Sequence, residues 1–189
     1  MTFARLLIIF ATLVMTALIA QPQGNANHFT KDGLTFDYTN GWTITDESNS
    51  DAQQLTLNKA NSDAQIRIFV HRGKADTPEK LAQAKKAFID PYIKSVNDTF
   101  VSMGGKPQST PASSDVGGAP AEGVRLRTSL SGEAGEASIY WLALNNRVVV
   151  LTFFGPDQAL KQATAAWDTV RTSIKIEPPP AKPSPSKKP

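Results

Sequence analysis

The sequence predicts an α+β fold, a mainly antiparallel central sheet of about six to seven strands with helices packed on both faces. Segments with apolar residues at every second position alternate with segments repeating every three to four, in the order strands, helix, strands, helix. Asn40-Gly41 and Asn145-Asn146 are two-residue turn signals, read as hairpin connections between flanking strands. The runs Ser138–Leu144 and Val148–Phe154 are apolar at nearly every position, as in central strands covered on both faces.

The elements follow in order. Leu34, Phe36 and Tyr38 share one face of a first strand, and Trp42 and Ile44 continue the alternation after the Asn40-Gly41 turn. Leu55 and Leu57 mark a third strand, and Gln65–His71 a fourth. Thr77-Pro78-Glu79 then opens a helix, with Thr as the cap, Pro in the first turn and Glu favourable against the helix dipole. Its buried stripe is Leu81, Ala84, Phe88, Tyr92, Val96 and Phe100. Pro91 falls inside that stripe, where it removes a backbone donor, so a kink or a restart capped by Asp90 is expected. Gly104-Gly105 ends the helix. Lys106–Pro120, rich in Gly, Pro and Ser, reads as a long connection with a weak edge strand. Val124–Leu130, a turn at "SGEAGE", and the two apolar strands come next. A second helix begins at Pro156, with Leu160, Ala163, Trp167, Val170 and Ile174 on one stripe.

At 189 residues the chain is expected to hold one domain, residues 27–176, between a leader and a tail. Leu6–Ile19 is apolar except for Thr and follows a single positive charge, Arg5. Fourteen residues are too few for a comfortable membrane span, which needs roughly 20, but suit the core of a signal peptide over residues 1–26, cleaved after Ala20 or Ala26. Export to the periplasm or medium is therefore expected, with no membrane span retained. There is no cysteine, which excludes disulfides, thiol nucleophiles, thiolate metal sites and a lipidated cysteine anchor. The tail, residues 177–189 ("EPPPAKPSPSKKP"), is proline-rich and has nothing with which to build a core. Lys182, Lys187 and Lys188 offer a weak envelope contact there.

Charge argues against nucleic acid as a partner. Removing Arg5, Lys182, Lys187 and Lys188 from the 20 Lys+Arg, and Glu177 from the 17 Asp+Glu, leaves 16 of each in residues 27–176. A reader of nucleic acid needs a concentrated basic face, and this domain is formally neutral.

Catalytic chemistry finds few places to start. The two histidines, His28 and His71, lack partners at metal-binding spacing; His28 lies in the segment after the leader, read as flexible. Adjacent Asp46 and Glu47 point to opposite faces of a strand, while Glu133 and Glu136 on the Gly-rich hairpin can converge or simply remain solvated. The chain lacks a G-x-S-x-G elbow, an S-x-x-K motif and an EF-hand loop. In "MGGKPQST" the adjacent glycines and Pro107 prevent a phosphate cradle. No metal or cofactor is expected. Tyr38 and Trp42, flanking the first turn, are the candidate stacking residues for a ligand; core packing is the competing reading.

The stretch "GLTFDYTNGWTI" resembles the opening of the PsbP-like domain family, whose fold is shared by photosystem II extrinsic proteins and a Ran-binding nuclear import factor. Gly33, Leu34, Phe36, Tyr38 and Trp42 stand at the matching places, and Thr39 stands where proline is common. Thr172–Ile176 is similar to the family's closing helix-to-strand segment. The resemblance spans about residues 29–176 and implies a non-enzymatic exported domain that binds an unknown protein partner, with no catalytic motif carried over. The alternative is a small-ligand binder or an enzyme of unfamiliar type, using a pocket near the first hairpin.

Overall fold

A computed structural model describes residues 26–177. The leader, with both cleavage positions except for Ala26 itself, and the tail lysines Lys182, Lys187 and Lys188 lie outside the described residues.

The chain runs β1 (Ala26–Lys31), β2 (Leu34–Thr39), β3 (Trp42–Asp46), β4 (Ala52–Lys59), β5 (Gln65–Lys74), α1 (Pro78–Ala84), a π-helical turn (Lys85–Ile89) and α2 (Asp90–Ser102). Then come β6 (Gln108–Val116), β7 (Ala119–Leu130), β8 (Glu133–Leu144), β9 (Arg147–Pro156), α3 (Asp157–Ser173) and β10 (Lys175–Ile176). Seven strands form an antiparallel sheet in the order β3-β4-β5-β9-β8-β7-β6, and three form a second sheet, β1-β2-β10. The α+β class is as expected, and β8 and β9, which carry the two largely apolar runs, are interior strands. The second sheet was not expected.

That sheet changes the reading of the first turn. β2 pairs with β1 and β10, whereas β3 pairs with β4. Asn40-Gly41 is therefore a corner between two sheets and not a hairpin, with Gly41 at φ 82°. The hairpin lies one turn earlier, where Asp32 and Gly33 take φ of 49° and 79°, the positive pair that a two-residue turn of matching twist demands. His28 sits within β1, with Asp37 2.7 Å from its Nδ1, so the segment read as flexible is a strand.

Alternation along β9 shows how the core divides. Val149, Leu151 and Phe153 join Leu34, Phe36, Trp42, Trp167 and Val170 in one cluster under α3 and the small sheet. Val148 and Val150 join Ile139, Trp141 and Ile89 in another, against the α1–α2 arm. The arm begins as its residues dictate: Thr77 Oγ1 accepts from the Lys80 N–H. Pro91 has no N–H to give the carbonyl of Ala87. The helix widens just before it, and the Asp90 N–H reaches back five residues to the Lys85 carbonyl. The expected interruption is thus a π turn running directly into α2. At the far end Gly104 and Gly105 donate to the Val101 and Phe100 carbonyls, a glycine stop of the Schellman type. Within Lys106–Pro120 the edge strand is present and takes up most of the segment: β6, Gln108–Val116, nine residues long. Pro111 is tolerated there because an edge strand has one unpaired side.

A polar clasp ties the β1–β2 hairpin to the large sheet. Arg147 donates to Gln53 Oε1 (2.7 Å), the Asp32 carbonyl (3.1 Å) and the His71 carbonyl (3.3 Å). Gln53 is fully buried and donates to the Lys31 carbonyl. Burial, followed by the nearby Arg72 charge, pulls the Arg147 guanidinium below its usual range. Replacing Arg147 by Met keeps the stem and leaves Gln53 Oε1 buried without a donor, so Arg147→Met is expected to lose about 1–3 kcal/mol in urea denaturation.

The second tie is the ion pair of Lys31 with Asp46, 2.6 Å. The Lys31 ammonium, followed by Ser48, holds the Asp46 carboxyl at about 2. A depressed carboxylate stabilises above its unfolded value of roughly 4 and loses that contribution as pH falls towards 2. Both partners are well exposed, so the contribution is under about 1 kcal/mol. The stability gap between the parent and Asp46→Asn should therefore be small at pH 7, narrow as pH falls below about 4 and close only below pH 2, as read by urea midpoints across that range.

Candidate functional site

On the face opposite α3, the α1–α2 arm covers β7, β8 and β9 but not the β3–β4 edge. The sequence explains why. β3 and β4 turn Trp42, Ile44, Leu55 and Leu57 to the α3 core, which leaves Thr43, Thr45, Gln54 and Thr56 on the other face. Such a surface offers a helix little to bury. Where the arm stops, a groove of about 330 Å³ opens between the π turn, α2 and the strands beneath.

Gln54, Thr56 and Phe69 form the floor of the groove, Phe88 and Tyr92 its wall, and Glu47 and Arg67 stand at opposite ends of it. The widened turn sets Phe88 5.6 Å from Phe69 and stacks it on His71 at 4.9 Å, ring centroid to centroid. Tyr92 Oη donates to buried Thr152 Oγ1 at 3.1 Å, which fixes that ring against β9. Arg67 lies over the Phe154 ring at 4.7 Å and donates once, to Gln65 Oε1. Among the described residues neither Arg67 nor Glu47 has an opposite charge within ion-pair distance, although ion pairs engage Asp32, Asp46, Glu136 and Asp157. The groove joins two unspent charges and free hydroxyl and amide groups to an aromatic wall. Such a surface offers burial, hydrogen bonding and charge to a ligand.

The residues picked out from the sequence lie elsewhere. Trp42 is 6% exposed inside the α3 core, and Tyr38 is half-buried, its ring 6.2 Å from that of Phe36. Neither lines the groove, which sits on the other side of the large sheet from the first hairpin. Asp46 pairs with Lys31, away from Glu47. Glu133 and Glu136 do not converge. They face Leu130 and Arg127 across the β7–β8 ladder, and Glu136 is held by Arg125 at 2.9 Å and Ser138 at 2.6 Å. His28 and His71 lie on separate sheets. Among the described residues no three His, Asp or Glu side chains gather as metal ligands, and no described helix is long and apolar enough to cross a membrane. One local signal for the groove did exist. In "QIRIFVH" Ile66, Ile68 and Val70 make one face wholly apolar, while Gln65, Arg67, Phe69 and His71 mix charge, amide and aromatic groups on the other.

Comparison with protein-family models gives no match, and comparison with curated proteins gives none either. Solved structures do match. Cyanobacterial PsbP (CyanoP) from Synechocystis sp. PCC 6803 aligns with a TM-score of 0.51 at 17% identity, over 81% of this chain and 93% of its own. A Bacteroides thetaiotaomicron protein aligns with a TM-score of 0.53 at 13% identity, over 82% of this chain and 50% of its own. The stretch Gly33–Trp42 and the closing α3–β10 segment agree with that likeness, and the chain has the PsbP-like fold.

Proposed function

We propose that this chain is an exported, non-enzymatic accessory domain, an α/β/α sandwich that works by binding a protein partner. The observation that carries the reading is the groove over β4 and β5, with its aromatic wall and uncommitted charges. The PsbP-like fold supplies the scaffold, and the role rests on the surface placed on it. Export rests on the apolar leader. The groove also replaces the first hairpin as the place where a ligand would bind.

A photo-reactive amino acid at Thr56, on the groove floor, tests this in the producing cell. The control is the same probe at Lys161, exposed on α3. A reproducible cross-linked protein from the Thr56 probe, absent from the control and recovered in the exported fraction, is the expected result. The same bands from both positions, or none from Thr56, would overturn it.

A further inference from the structure

We infer that the groove recognises a short peptide with both ends free, about three residues long and apolar in its side chains. This goes beyond the protein-partner reading: the two share the groove, but the occupant here is a free peptide in place of a folded partner. Opposite charges stand at the two ends. Strand geometry sets their separation: Glu47 lies beside Gln54, whose partner across the next strand is Phe69, two residues from Arg67 on β5. Two inter-strand steps and one two-residue step along a strand put the two backbones about 12 Å apart. An extended tripeptide spans roughly 10 Å, and the long Glu and Arg side chains close the remainder.

The chemistry between those ends also suits a peptide. Arg67 spends one of its five donors on Gln65 and presents the others in a fork that matches a carboxylate. Glu47 can accept from an ammonium. Between them the Gln54 amide and the Thr56 hydroxyl make no side-chain hydrogen bond to the described residues. They can meet the N–H and C=O groups of a backbone lying across the strands, groups that must be paired once removed from water. An alkyl chain would leave them unmet. Phe69, Phe88 and Tyr92 supply the apolar surface for side chains. The volume of about 330 Å³ falls at the small end of the ~300–1000 Å³ range of ligand sites.

Titration calorimetry of residues 27–189 with trileucine, trileucine amide and N-acetyl-trileucine tests the assignment. Trileucine should bind saturably. Amidation, which removes the carboxylate, and acetylation, which removes the ammonium, should each weaken binding about tenfold, as expected for loss of a charge-assisted contact. In Arg67→Gln the free and amidated peptides should bind alike, and in Glu47→Gln the free and acetylated peptides should bind alike. Both residues are exposed, so the variants are expected to fold as the parent does. Absence of saturable binding, or capping without effect, overturns the assignment. If the Thr56 cross-link persists in that case, only the peptide assignment falls. If the cross-link is missing too, the groove is not a binding site and both readings fall.

Discussion

Trp167→Ala is expected to lose about 3–5 kcal/mol of stability, the range for removing a large aromatic from a packed core. Helix α3 is held to the sheet by one stripe, and Trp167 is its largest member. Its ring stacks on Phe153 with centroids 5.0 Å apart and planes 4° apart, and on Tyr140 at 6.0 Å. Its neighbours on the helix, Ala163 and Ala166, are too small to move into the void, so the cavity persists instead of collapsing. The stripe also joins the two sheets, since β2 packs against the same cluster. Truncation therefore loosens the small sheet as well. For a domain of about this size the loss corresponds to a melting shift of roughly 6–20 °C. Trp167→Phe keeps a ring in the stack and should lose less than half as much. Urea denaturation followed by far-ultraviolet circular dichroism measures both. A loss below about 1.5 kcal/mol in the alanine variant would mean that α3 is held by its ends and not by its stripe.

What could be read in the sequence was whatever has a local physical cause. The Thr77 cap, the stripe from Leu81 to Phe100, the Gly104-Gly105 stop and the Asn145-Asn146 turn each depend on a few neighbouring residues. Each stands where expected. The β2–β3 connection failed for the opposite reason. Asn40-Gly41 satisfies a corner as well as a hairpin, because both need positive φ. Leu34 and Phe36 on one side of it, and Trp42 and Ile44 on the other, face the same core from different sheets, so alternation cannot tell the two cases apart. Asp32-Gly33 was an equally strong turn signal, but its first strand, "ANHFTK", has a single large apolar residue and is held by pairing with β2. The length of β6 was obscured by its Pro and Ser content and by the glycines that follow it, which an open edge tolerates. The groove was least legible of all. Its existence depends on where the α1–α2 arm ends over the sheet, a relation among Phe88, Tyr92 and residues distant from them in sequence.

Gly117→Ala is expected to lose about 2–5 kcal/mol, more than its neighbour Gly118→Ala, although both sit in the same two-residue turn between β6 and β7. The two glycines have φ of 59° and 78°, so alanine at either costs about 1–2 kcal/mol for a left-handed conformation. Only Gly117 has a second constraint. Its N–H donates to the Arg171 carbonyl at 2.8 Å, closing the C-terminal turn of α3 from another element. A Cβ there would lie 2.5 Å from the Ile174 carbonyl oxygen and 3.3 Å from Leu144 Cδ1, whereas one at Gly118 would meet nothing within 4 Å. Ile174 is fully buried, and Arg171 donates to the Asp115 carbonyl at 2.7 Å. The corner cannot shift without moving the end of α3 and β10 with it, and such overpacking adds about 1–3 kcal/mol. Native-state hydrogen exchange should show the same asymmetry, with faster exchange at the last turn of α3 in Gly117→Ala and none of that change in Gly118→Ala. Equal losses in the two variants would mean that only the turn's φ is at stake, and that the β6–β7 corner does not hold the end of α3.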